Sequence, residues 1–425
     1  MGSLAVAGGH PCIPAQTFEA ATKWPHYGPS ELEAVSRLVT KGEVSRSDTV
    51  LEFEQEVCKL CCCRHALTFP NGTLAMLAAM YAVGIGPGDE VLCPSNTWWG
   101  SISPALWLGA SVSFCDCEPG TLCLDPEDVL RRITPCTKAL VAVHLWGLPA
   151  PMSELRDLCT RHGIALIEDA SHAHGARYKG TPVGSLGDIA VFSCQASKLL
   201  PMGEGGFLST DSSDLYEAAL LIGHGDRLGS FSSTKTQHRL AATGAGIKAR
   251  PTPLVAALGL HQLRSLRRHV ASTSEAFRAL ETCLDSIGGF ARGQTPGDAG
   301  AGRVYYEFVF RYSPEHFPGV LAPDLALILQ KEGVRCDICR YPLLHQLPLF
   351  RVQGDIRDHA NSSSSTLVDA ICLPVCETLQ PRLLSLPAIK TPTLELAEAY
   401  DAAFRKVSAH AETVVDLCAT GALHE

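Results

Sequence analysis

Lys198 is the one cation in the run Q-A-S-K-L-L-P-M-G-E-G-G (195–206), and apolar runs flank it, A-L-I-E-D-A (165–170) before and G-F-L-S-T (206–210) after. A lysine in low-polarity surroundings loses proton affinity and becomes a nucleophile. Such an amine condenses with a carbonyl, above all with the aldehyde of pyridoxal phosphate. Most lysines instead snorkel or pair with a carboxylate, so the residue needs companions. Glu168-Asp169 ends an apolar run. A carboxylate there needs a cation, such as a protonated ring nitrogen, or else it caps a helix. Asn71-Gly72-Thr73 follows another apolar run and opens a helical one. A helix start offers N–H groups and a positive dipole end to an anion such as phosphate, though an ordinary N-cap turn reads the same way. Gly72 lets the backbone approach closely. A phosphate cradle, a carboxylate for a ring nitrogen and a lysine for an aldehyde are three handles of one cofactor.

These residues need a frame that brings them to one edge. Helical periodicity covers 31–42, 49–62, 71–83 and 152–162, and short strand-like runs cover 66–69, 90–93, 112–115, 139–144, 165–168 and 189–193. Strand and helix in alternation predict an α/β unit, a mostly parallel mixed sheet covered by helices on both faces. Ligands gather at the carboxyl ends of such strands, where Asn71, Asp169, Ser193 and Lys198 all fall. After residue 268 the rhythm changes to strand-like 305–312, a helix near 322–332, strand-like 334–339 and a helix over 393–409. This predicts a large domain over 1–268, with its N-terminal segment, and a smaller C-terminal α+β domain over 269–425.

Composition narrows the function. Hydrophobic residues at 46% and charged residues at 19% suit a sizeable core. A net charge of −9, from 35 basic and 44 acidic residues, gives no electrostatic case for nucleic acid or an anionic membrane surface. Residues 91–115 carry no charge, but Pro94, Pro104 and several polar residues interrupt them, so they predict a strand end, a loop and a buried helix and no membrane span. Residues 1–10 lack the basic and apolar segments of a secretory signal, so the 18 cysteines read as reduced thiols in the cytoplasm. The run C-K-L-C-C-C-R-H (58–65) invites a zinc site. No second cluster with ligand spacing accompanies it, and it continues a helical pattern with Phe53 and Val57, so small buried hydrophobes are expected and no metal.

Four motifs carry a family likeness: G-I-G-P-G-D-E-V (84–91), P-S-N-T-W (94–98), I-E-D-A-S-H-A-H-G-A (167–176) and F-S-C-Q-A-S-K-L-L-P-M-G-E-G-G (192–206). With them, over about residues 4–404, the chain resembles the DegT-type sugar aminotransferases. These are pyridoxal phosphate enzymes with the aspartate aminotransferase (type I) fold. The resemblance implies that Lys198 is the Schiff-base lysine and the catalytic acid and base. It implies that Asp169 keeps the ring nitrogen protonated and that His172 lies near the ring and its phenolic oxygen. Trp98 would stack on the ring face, and Gly72, Thr73 and Ser193 would hold the phosphate. Gln195 stands where many members have His and aminocyclitol aminotransferases often have Gln. The stretches 4–11 and 246–254 are also similar to that aminocyclitol subgroup, which aminates inosose-type keto-cyclitols. Lys248 stands where many members have an Asn that reaches the neighbouring subunit's phosphate, and Arg250 matches the family's Arg. The implied partners are therefore a second copy in a homodimer with a shared active site, an amino donor, glutamine or glutamate, and a keto-sugar or keto-cyclitol.

Departures fall on the substrate side. Pro201-Met202 replaces small or polar residues, and Cys376 replaces an expected His. Tyr341 and His345, in R-Y-P-L-L-H, resemble the substrate-side loop, with packing as the alternative. Elimination or other lyase chemistry would use the same Lys198 and Asp169. The family's dehydratase branch lacks the lysine, which counts against that form. A silent regulatory protein is the remaining alternative, and retention of Lys198, Asp169 and the phosphate turn counts against it.

Overall fold

Seven short apolar runs form the strands of one sheet in a computed structural model, which describes residues 2–14, 17–19, 23–230, 239–240, 242–297, 302–351, 371–387 and 393–423. In chain order they are β1 (His65–Phe69), β2 (Glu90–Pro94), β3 (Ser111–Cys115), β4 (Thr137–Val143), β5 (Ala165–Asp169), β6 (Ile189–Ser193) and β7 (Gly206–Thr210). Their spatial order is β1-β7-β6-β5-β4-β2-β3. The pairs from β6 to β3 are parallel, and β7 runs antiparallel to both its neighbours. Strands covered on both faces read as continuous apolar runs, and β4 buries Ala139 to Val143 without a break. The helix Gly72–Ala82 is apolar nearly all round and buries Ala75, Met76, Ala78, Ala79 and Met80, as a helix inside the core must.

The C-terminal part builds a four-stranded antiparallel sheet, in the order Phe290–Arg292, Phe308–Tyr312, Leu383–Leu386, Asp337–Ile338. The helices Ala322–Lys331 and Leu394–Ala409 pack beside it. Two strands are shorter than their patterns predict. Over 305–312 the ladder begins at Phe308, because Val304 and Tyr306 donate their N–H groups to Gly147 and Trp146 of the large sheet's loops. Over 334–339 only Asp337–Ile338 pairs, because Val334 to Cys336 close a tight turn.

Residue 268 lies inside an unbroken helix, Pro253–Leu284. Its first half packs Ala256, Leu260 and Leu266 with Phe53 and Val57, and its second half sends Phe277, Leu280 and Leu284 into the C-terminal core. Leu4 and Ile13 of the N-terminal segment join that second core. There the buried Glu332 accepts from Ala5 N, Cys12 N and Lys406 Nζ at 2.8, 3.1 and 2.9 Å. Cys61 is buried with Phe53 and Val57, while Cys62 turns outward past the end of its helix. No helix among the described residues is long and apolar enough to cross a membrane.

Candidate active site

The parallel strands deliver their carboxyl ends to one edge. β1 ends at Phe69 and β6 at Ser193, and both residues pair with Gly206, the first residue of β7. Glycine is required at this junction. A Cβ on Gly206 would stand 2.6 Å from Asn71 C and Gly72 N, and one on Gly72 would stand 2.9 Å from Ser193 Cβ. The turn after β1 therefore lies against the end of β6 and opens the helix Gly72–Ala82. Asn71 caps that helix, its Oδ1 accepting from Leu74 N at 2.9 Å. Gly72, Thr73, Ser193 and Gln195 all line one cavity of about 510 Å³.

Asp169 ends β5 in the same cavity, where Ser101 Oγ donates to Oδ2 at 2.6 Å and Ser171 N to Oδ1 at 3.0 Å. Its neighbour Glu168 points to the other face of the sheet and is fully buried. His144 Nε2 donates to it at 3.0 Å, and the N–H groups of Gly184, Leu186 and Gly187 donate at 2.9, 2.7 and 2.6 Å. Ala150 N donates to His144 Nδ1 at 3.0 Å, which places the ring proton on Nε2. Burial alone would raise the Glu168 carboxyl, but His144 and the backbone donors hold it below its ordinary value. Glu168 thus pins the turn that leads into β6, and Asp169 is held from behind.

Lys198 stands on a turn after β6. Its N–H bonds Gln195 O at 2.8 Å, Gln195 Oε1 accepts from Ser197 N at 2.7 Å, and Trp24 Nε1 donates to its carbonyl at 3.2 Å. Its Nζ lies 4.2 Å from the Tyr306 ring centroid. Burial lowers the amine to about 8, against the raising pull of Asp169 and with Arg340 adding to the depression. His172 is buried and stacks on Tyr306 at 4.4 Å. Trp146 N donates to Nδ1 at 3.2 Å, so Nε2 carries the proton toward Tyr341 Oη at 3.0 Å. Burial, Lys198 and Arg340 push His172 well below its ordinary value, so the ring is neutral. Trp98 lies at the mouth of the cavity, half-exposed.

Lys248 and Arg250 do not meet this site within one chain. Lys248 is exposed, and Arg250 pairs with Asp226 at 2.9 Å on the wall of a separate cavity of about 660 Å³. Tyr341 lines the Lys198 cavity, but His345 does not. His345 is buried behind it, between Ser95 Oγ at 2.7 Å and Glu377 Oε1 at 3.0 Å. Cys376 is buried 3.4 Å from Cys117 Sγ, with its N–H on Asp116 Oδ1. Pro201 and Met202, expected on the substrate side, are both buried, and Met202 packs in the core near Phe53 and Gly259. Sequence reasoning passed over Ser101, Tyr306 and Arg340, all of which line the cavity.

Residues 25–384 match the DegT/DnrJ/EryC1/StrS aminotransferase family. The L-glutamine:2-deoxy-scyllo-inosose aminotransferase of Streptomyces paromomycinus is 35% identical over 396 residues, covering 90% of this chain and 92% of the relative. The L-glutamine:scyllo-inosose aminotransferase of Streptomyces griseus is 33% identical, covering 74% of this chain and 75% of the relative. The crystal structure of DesI in the presence of its TDP-sugar product superposes with a TM-score of 0.80 at 27% identity, over 99% of each chain. The chain belongs to the DegT/DnrJ/EryC1/StrS aminotransferase family.

Proposed function

We propose that this chain binds pyridoxal phosphate on Lys198 and transfers an amino group from L-glutamine or L-glutamate to a keto-cyclitol of the inosose type or a keto-sugar. The observation that carries the reading is the meeting, in one cavity, of a helix start bedded on glycine, a buried carboxylate and a lysine amine depressed to about 8. The residues fit the group. Gly72, Thr73, Ser193 and Gln195 form a cradle for its phosphate, and Gly72 and Gly206 let the backbone close up where a Cβ would strike Ser193 or the Asn71–Gly72 backbone. Asp169 is the carboxylate for its ring nitrogen, and His172 and Trp98 are rings to lie beside it. When bound, pyridoxal phosphate supplies an aldehyde for the amino group and a ring that accepts electrons from the substrate's α-carbon.

The chain's own groups do the rest. The Lys198 amine is near its midpoint at pH 8, so it can both accept and return a proton at the donor's α-carbon. Asp169 stays in place because Ser101 and Ser171 fix it and Glu168 anchors the strand behind. Neutral His172 donates a hydrogen bond without adding a second positive charge beside Lys198. Lys248 and Arg250 are the residues through which a second copy would complete the site in a homodimer.

The test is a product assay with L-glutamine and a panel of keto-cyclitols and nucleotide-linked keto-sugars. An aminated cyclitol or sugar is the expected product. No aminated product from L-glutamine, with pyruvate and ammonia released instead from an amino acid that carries a β-leaving group, such as L-serine, would assign elimination.

A further inference from the structure

Arg340 is a cation that the reaction as described leaves without a task. Among the described residues it and Lys198 are the only cations lining the cavity, since His172 is neutral. Its Nη2 donates to the carboxylate of Glu307 and to Tyr306 Oη. Its guanidinium lies over the rings of Tyr306 and Tyr341, 5.4 and 5.5 Å from their centroids. Glu307 is buried, so the pair holds the guanidinium from behind. The arginine side chain is itself 48% exposed and reaches an adjoining cavity of about 490 Å³. A guanidinium carries five N–H donors in a planar fork, so contacts through Nη2 leave an edge for a planar anion.

We propose that Arg340 binds the α-carboxylate of the amino donor and so selects amino acids over other amines. The inference rests on the proposed transamination. An amino donor presents three groups near Lys198: the amine, the α-hydrogen and the α-carboxylate. The amine goes to the cofactor and the α-hydrogen to Lys198. The carboxylate needs a cation in a partly desolvated cavity, because an unpaired charge there is costly. The helix start at Gly72 and the Asp169 carboxylate serve the cofactor, which leaves Arg340. Arg–carboxylate pairs are commonly two-pronged, and the aromatic shelf of Tyr306 and Tyr341 keeps the fork in one plane. The side chain comes from the short stretch just after Asp337–Ile338, in the C-terminal unit, so donor recognition would join the two units at the cavity.

The experiment uses the holoenzyme and two probes, L-glutamine and L-glutaminol, in which a hydroxymethyl group replaces the carboxylate. The rate of the first half-reaction is read from the cofactor's absorbance. In the wild type glutamine should outpace glutaminol. In Arg340→Gln the glutamine reaction should fall about 10- to 100-fold, the worth of a hydrogen bond to a charged group, and glutaminol should stay within about threefold. Discrimination between the two probes would then collapse. Arg340→Lys keeps a positive charge against Glu307 and should lose less, which separates recognition from damage to the fold. The return half-reaction with the keto acceptor should be unchanged in both variants. Equal losses with both probes, or discrimination that vanishes in Lys248→Ala while surviving in Arg340→Gln, would overturn the assignment and leave the transamination standing. A wild type that reacts with neither probe nor with L-glutamate would overturn both.

Discussion

Lys198 is where the chemistry is most exposed to test. A surface lysine titrates near 10.4, but burial lowers this one to about 8. In the cofactor-free protein, brief labelling with an amine-reactive reagent should modify Lys198 with a midpoint near pH 8, read by mass spectrometry, while exposed lysines respond only at higher pH. Asp169 raises the amine, so Asp169→Asn should move that midpoint down, and it should cut amino transfer by about 100-fold or more while the cofactor still binds. A midpoint that rises would contradict the electrostatics. Lys198 and Asp169 stand out in the sequence beside apolar runs near strand carboxyl ends, where a paired lysine or a helix cap would read the same, and it is the fold that brings them into one cavity. Ser101, Tyr306 and Arg340 do not stand out. Ser101 lies in a short turn within an uncharged stretch, and Tyr306 and Arg340 come from a unit more than 100 residues away in sequence, so only folding brings them to Lys198.

At the scale of elements, the glycine contacts at the turn after β1 make a second prediction. Gly206→Ala drives a Cβ into the Asn71–Gly72 backbone, which no side-chain rotation relieves. Overpacking of this kind costs about 1–3 kcal/mol, and because the strain falls on the turn, cofactor release should quicken more than the melting temperature falls. Equilibrium dialysis and a melt separate the two. Glu168 makes a third. Glu168→Ala leaves four donors, two of them in fully buried bonds, without their acceptor and should cost about 3–5 kcal/mol. Its folded carboxyl is depressed, so its contribution is complete above the unfolded value of about 4.3 and is lost as pH falls through the lower folded value. Acid melts should lose part of their pH dependence in the variant. The parallel strands were legible as apolar runs of the right length. The reversed direction of β7 was not, because a strand buried on both faces reads the same either way. The two shortened C-terminal strands also escaped, since their side-chain alternation is right and only the backbone partners differ.

For the whole molecule, the proposed shared site requires a dimer. Lys248 and Arg250 lie away from the cavity of their own chain. If each completes a neighbour's site, mixing Lys198→Ala with Lys248→Ala subunits should restore about a quarter of wild-type activity, because statistical mixing makes half the dimers hybrid with one intact site each. Full activity of Lys248→Ala on its own would place Lys248 outside the reaction, and no recovery on mixing two inactive variants would place it in its own chain's site. The measurement that bears most directly on the central claim is the visible absorbance of the purified protein after incubation with pyridoxal phosphate, beside Lys198→Ala, with and without L-glutamine. With the unbound cofactor removed, the wild type should be yellow and glutamine should bleach it, whereas the variant should not bleach. A wild type left colourless once the unbound pyridoxal phosphate is removed would contradict the assignment of Lys198.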